Sequence, residues 1–68
     1  MNNTCIYLLE YSAVCEDGTR NLLNKELLAR CPLVGTANLI AKYLRENAYK
    51  YLLAYDGETS HIFKIVVE

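Results

Sequence analysis

Apolar and polar positions recur along this chain with two different periods, and the changes of period mark its elements. Over residues 36–47, TANLIAKYLREN, Ala37, Ile40, Ala41 and Leu44 recur at i, i+3, i+4 and i+7, with Ala48 one turn further on. That is the stripe of an amphipathic helix. Thr36 is expected to cap its start, because a hydroxyl there can accept from the orphan amides of the first turn. Asn38, Lys42, Arg45 and Glu46 fall on the opposite side. Leu39 and Tyr43 lie outside the stripe, so the apolar arc is wide and needs a second cover.

Elsewhere the period shortens to two. In residues 4–14, TCIYLLEYSAV, one face carries Cys5, Tyr7, Leu9, Tyr11 and Ala13, and the other Ile6, Leu8, Glu10, Ser12 and Val14. Both faces begin apolar, which predicts a central strand. Residues 15–19, CEDGT, read as a turn, with Gly18 supplying a position that tolerates positive φ. Residues 49–55, YKYLLAY, predict a second strand with Tyr49, Tyr51, Leu53 and Tyr55 on one face. Residues 60–67, SHIFKIVV, predict a third. The Asp56-Gly57-Glu58-Thr59 turn between the last two is expected to close a C-terminal hairpin.

Residues 21–31, NLLNKELLARC, support two readings. Their leucines, lysine, glutamate and alanine are helix formers, none is β-branched, and Leu23, Leu27 and Cys31 stand four residues apart. As a strand, Leu23, Leu27, Ala29 and Cys31 would alternate inward, but Lys25 breaks that alternation. Helix is preferred. On the strand reading the following helix could begin at Pro32, a favoured first-turn residue. The chain is therefore expected to be a single α+β domain over residues 1–68. Its small antiparallel-rich sheet has three or four strands, with helix packed on one face. The order is β-α-α-β-β, or alternatively β-β-α-β-β. A helix covers one side of such a sheet; the other is solvated, covered by a second copy or used for binding.

Size sharpens that last point. A chain of 68 residues buries only about 60% of its unfolded surface on folding. Self-association is thus expected, because a tyrosine-rich sheet face on so small a domain would otherwise stay wet. No apolar run approaches the roughly 20 residues of a membrane span, and the first residues lack a basic leader. A cytoplasmic protein, of a cell or of a virus or mobile element, is the expectation. Three cysteines, Cys5, Cys15 and Cys31, form no CxxC pair and are read as reduced and packed. No metal or cofactor is expected.

The net charge of −1 hides an asymmetry. Residues 1–17 carry Glu10, Glu16 and Asp17 and no base. Residues 18–55 carry six bases against Glu26 and Glu46, and residues 56–68 carry Asp56, Glu58 and Glu68 against Lys64. The centre is basic and the ends are acidic, which suits an acidic partner or nucleic acid.

Six tyrosines among 68 residues is high, and five of them (Tyr7, Tyr11, Tyr49, Tyr51 and Tyr55) fall on predicted strands. Tyrosine brings large contact area at low entropic cost. These five, with Lys42, Arg45, Leu39 and Tyr43 of the helix, are the candidate partner-binding residues. One alternative is nucleic-acid binding of winged helix-turn-helix type, with two helices in residues 24–47 and a wing beyond them. Against it, the wing tip Asp56-Gly57-Glu58 is acidic. His61 is the sole histidine and defines no catalytic arrangement with the scattered acids. Residues 39–64, LIAKYLRENAYKYLLAYDGETSHIFK, resemble the helix–strand–turn–strand of hic-type toxin ribonucleases. That resemblance implies His61 as acid–base catalyst, but the loop here is longer and Gly57 stands four residues from His61. The reading adopted is a small non-enzymatic protein-binding module. A regulator or inhibitor encoded by a phage or mobile element is the expected role.

Overall fold

The computed structural model describes residues 3–53 and 60–68, with the side chains of Tyr51 and Leu53 left aside. It is an α+β fold: a three-stranded antiparallel sheet with helix on one face. Strand β1 (Thr4–Tyr11) lies in the centre, between β2 (Leu22–Cys31) and β3 (Ile62–Val67). Helix α1 (Val34–Tyr43) runs into a single π turn over Leu44–Ala48, and a short helix α2 (Lys50–Leu53) follows. No described helix is long and apolar enough to cross a membrane.

The preferred helix at residues 21–31 is overturned, for this segment is β2. Its helix-forming composition loses to ten residues of pairing against β1, a tertiary effect that outweighs weak intrinsic propensity. The register also explains why the alternation looked broken. Ile6 stands opposite Ala29 and Tyr7 opposite Leu27, so Leu28 is an extra, bulged residue. A second shift, between Glu10 and Tyr11, leaves Leu23 unpaired in the same way. Each bulge resets the face. Ala29 and Cys31 therefore turn toward α1, while Leu27 and Lys25 turn away.

The turn that joins β1 to β2 lies where Asp-Gly placed it. Gly18 adopts φ +85°, a left-handed conformation that only glycine reaches without strain. Asp17 Oδ1 accepts from the Thr19 amide at 3.0 Å and from its hydroxyl at 2.7 Å. Arg20 then ties the loop to the sheet end, donating to the carbonyls of Ser12 and Ser60 at 2.9 and 2.8 Å.

Helix α1 starts earlier than its predicted cap. Leu33, in extended conformation, occupies the cap position without a side-chain hydrogen bond, and Thr36 lies inside the helix. The start two residues after Pro32 is close to that expected once 21–31 is a strand. Ala37 and Ala41 are fully buried and bring the helix against Ile6, Cys31 and Ile65, and Ile40, Leu44 and Val67 pack around them. The two alanines allow close approach of helix to sheet.

The strand expected at residues 49–55 is also corrected: residues 50–53 are helical, and residues 54–59, including Tyr55 and the predicted turn, lie outside the described residues. The π turn carries the reason. The Tyr49 amide donates to the Leu44 carbonyl at 2.8 Å, five residues back, and the wider turn lets Leu44 and Tyr49 both reach the core. The second half of the expected hairpin does exist as β3, paired with β1. The two helices that the winged helix-turn-helix alternative needs in residues 24–47 are a strand followed by a helix.

Candidate functional site

One side of the sheet has no described element over it. It is built from alternate residues of three strands. Tyr7 stands between Leu27 and Val66, Leu9 between Lys25 and Lys64, and Tyr11 between Leu22 and Ile62. The opposite parity, Ile6 and Leu8 with Ile65 and Val67, faces α1.

The middle row is unusual. Leu9 is only 7% exposed although it lies on the open side. Tyr7, Tyr11, Lys25 and Lys64 surround it on the same face. The Lys25 ammonium sits 4.3 Å from the centre of the Tyr7 ring, and that of Lys64 sits 5.7 Å from the centre of the Tyr11 ring. The lysine stems thus run along the sheet with the heads held over aromatic faces, the usual behaviour of a long amphipathic side chain on apolar surface. Lys25 also donates to Glu68 Oε2 at 2.8 Å. That bond, more than any other influence, holds the Lys25 pKa above its ordinary value, so the head stays charged at neutral pH. The Tyr7 hydroxyl's pKa is pushed up, above all by its hydrogen bond with Cys5, and the group stays protonated at neutral pH.

Charge divides between the two faces. Cys5 pairs with Arg30 on one side and exchanges backbone bonds at 2.8 Å with Glu68 on the other. Among the described residues the open face therefore carries Lys25, Arg30 and Lys64 against Glu68, in a chain of net charge −1. Glu10 and Glu26 have the parity of Ile6 and Leu8 and lie on the α1 side. There Glu10 Oε2 meets His61 Nδ1 at 2.8 Å. That contact is what the structure gives for His61, and the helix–strand order required by the ribonuclease resemblance is not formed.

The nine candidate residues separate widely. Tyr7 and Tyr11 share the open face. Tyr49, expected with them, is half-buried against the core on the other side of the sheet. Tyr55 and the Tyr51 side chain lie outside the described residues. Arg45, expected on a basic helix face, donates to the Ile65 carbonyl and fastens the π turn to β3. Lys42 is exposed. Leu39 and Tyr43 are 70% and 63% exposed, on the side of α1 away from Ala37 and Ala41. They form a ridge on the far side of the molecule from Tyr7 and Tyr11.

Lys25, Lys64 and Leu9 were missed as site residues. The signal for Lys64 was present, since it alternates with Phe63 and Ile65. The signal for Lys25 was masked by the bulges. Cys5 and Cys15 are half-buried and Cys31 buried, all as free thiols. Among the described residues no group of histidine, cysteine or carboxylate side chains is placed to hold a metal. The chain matches no protein-family model, no curated protein and no solved structure at a significant level.

Proposed function

We propose that this chain is a small protein-binding module without chemistry of its own, and that the open sheet face is its contact surface. The observation that supports this reading most is the row Lys25–Leu9–Lys64, flanked by Tyr7 and Tyr11, on a face that no described element covers. A buried leucine floor, tyrosines around it and a charged margin make the composition of a protein interface centre. Such a module acts by occupying a partner's surface, which is how a regulator or inhibitor works.

Three cations on one sheet face also favour a nucleic-acid reading, and base stacking on tyrosines is its usual form. The ring geometry weighs against it. An ammonium already lies over each tyrosine face, where a base would have to stack. Self-association, in this proposal, uses the other side: Leu39 and Tyr43, four residues apart and uncharged, suit a second copy better than a face of like charges does.

Site-specific photocrosslinking tests the proposal. A photoreactive p-benzoylphenylalanine at Tyr11, expressed in cells, should give a discrete protein adduct that the same group at Glu46 does not. Adducts only to nucleic acid, or the same adducts from both positions, would count against it.

A further inference from the structure

The open face says more than that a protein binds there. We propose that it recognises an acidic, extended segment of its partner, one carrying carboxylates at alternate positions. This inference rests on the protein-binding reading above and deepens it.

Three observations converge. First, the face is cationic in a chain that is not. Lys25, Arg30 and Lys64 stand on it against Glu68, while Glu10 and Glu26 are turned to the other side. Among the described residues no carboxylate is paired with Lys64 or Arg30. Charge complementarity of this kind selects the partner and speeds encounter. Second, the two lysines are set across the sheet at one level. Both stand directly opposite Leu9, on strands two apart, which places their backbones about 10 Å from each other. Tyr7 and Tyr11 lie about 7 Å along the strand on either side of Leu9. Their lysines lean in opposite senses, Lys25 toward Tyr7 and Lys64 toward Tyr11. The result is two cationic points separated by an apolar floor. Carboxylates at i, i+2 and i+4 of an extended segment lie on one side of it and span about 14 Å, which matches the separation of Tyr7 and Tyr11 along the strand, where the two heads sit. Third, the lysine heads can only donate hydrogen bonds and the phenol hydroxyls can donate too, whereas the Glu68 carboxylate is already held by Lys25. Donors around a floor are matched by acceptors, and carboxylates are the strongest available.

The test is a nuclear magnetic resonance titration of the full chain with three short peptides, alternating Glu–Val, Lys–Val and Thr–Val, and with oligo-dT. The Glu–Val peptide is expected to shift the amide signals of Leu9, Tyr11, Lys25 and Lys64 and leave those of α1 in place. Lys64→Glu is expected to weaken that binding by about tenfold or more, and Lys64→Gln by less. Equal binding by the Thr–Val or Lys–Val peptide, or shifts confined to α1, would overturn recognition of an acidic segment. So would no binding by any peptide; a protein crosslink from position 11 would then leave the broader reading standing. Preferential binding of the oligonucleotide, together with nucleic-acid adducts from position 11, would overturn both.

Discussion

The two faces of this sheet are made from the same strand and are covered in different ways. Strand β1 sends Ile6 and Leu8 to one side and Tyr7, Leu9 and Tyr11 to the other. On the α1 side the contacts are apolar and final: Ile6 is fully buried, Ile65 nearly so, and two alanines draw the helix in. On the open side a leucine is buried too, but it stands among lysines and tyrosines that solvent also reaches. Burial against a helix fixes the fold. Burial among long charged side chains leaves the surface accessible, and this is the surface proposed above to bind.

The largest effect should come from the α1 side. Ile6→Ala removes a fully buried side chain at the junction of three strands and a helix, and is expected to cost about 2–5 kcal/mol in urea unfolding. For a domain of this size that is a large part of its whole stability. Leu9→Ala, equally central in β1, should cost less, about 1–3 kcal/mol, because lysine and tyrosine side chains can close over the space or admit water. Equal costs for the two substitutions would erase the difference drawn between the faces.

Two exposed positions at the start of α1 should work in the other direction. Leu33 holds the cap conformation without a capping group, so Leu33→Asp is expected to stabilise the chain by about 0.5–2 kcal/mol. At Gly35 a Cβ would meet nothing within 4 Å, and Gly35→Ala should add up to about 1 kcal/mol. A loss of stability from either would mean that something covers this helix end. Leu39→Ala, on the outer ridge, should change stability by no more than about 0.5 kcal/mol, and any self-association seen by sedimentation should weaken with it.

The smallest effect is a pH dependence in the turn between β1 and β2. The Thr19 hydroxyl, then the Thr19 amide, holds the Asp17 carboxyl below its usual pKa. A carboxylate with a depressed folded-state pKa contributes stability above its unfolded value, and that contribution is lost as pH falls through the folded value. The thermal midpoint of the wild-type chain should therefore exceed that of Asp17→Ala at neutral pH, and the gap should narrow as pH falls below about 4. A gap that stays constant would assign the effect to turn geometry alone.

These contrasts also mark what was legible in the sequence. Strands β1 and β3 stood out because both are short runs rich in tyrosine, isoleucine and valine with no bulge between them, and with β1 came the shared face of Tyr7 and Tyr11. The core stripe of α1 was legible too. Strand β2 was not, because two bulged leucines shift its period and its residues individually prefer a helix. The strand foreseen at residues 49–55 failed for the opposite reason. Its alternating tyrosines looked like a sheet face, but a π turn carries Tyr49 into the core and the chain goes on as helix to Leu53. The candidate site therefore came half into view. Its tyrosines followed from β1 alone, whereas its lysines depend on register between strands, which no single segment encodes.

The central proposal is that the protein partner meets the open sheet face and leaves the outer side of α1, proposed for a second copy, untouched. Hydroxyl-radical footprinting reads it most directly, with the chain alone and then with the protein captured by the photocrosslink. The account predicts that Tyr7 and Tyr11 lose oxidation on binding while Tyr43 keeps its own. Protection of Tyr43, with Tyr7 and Tyr11 unchanged, would contradict it.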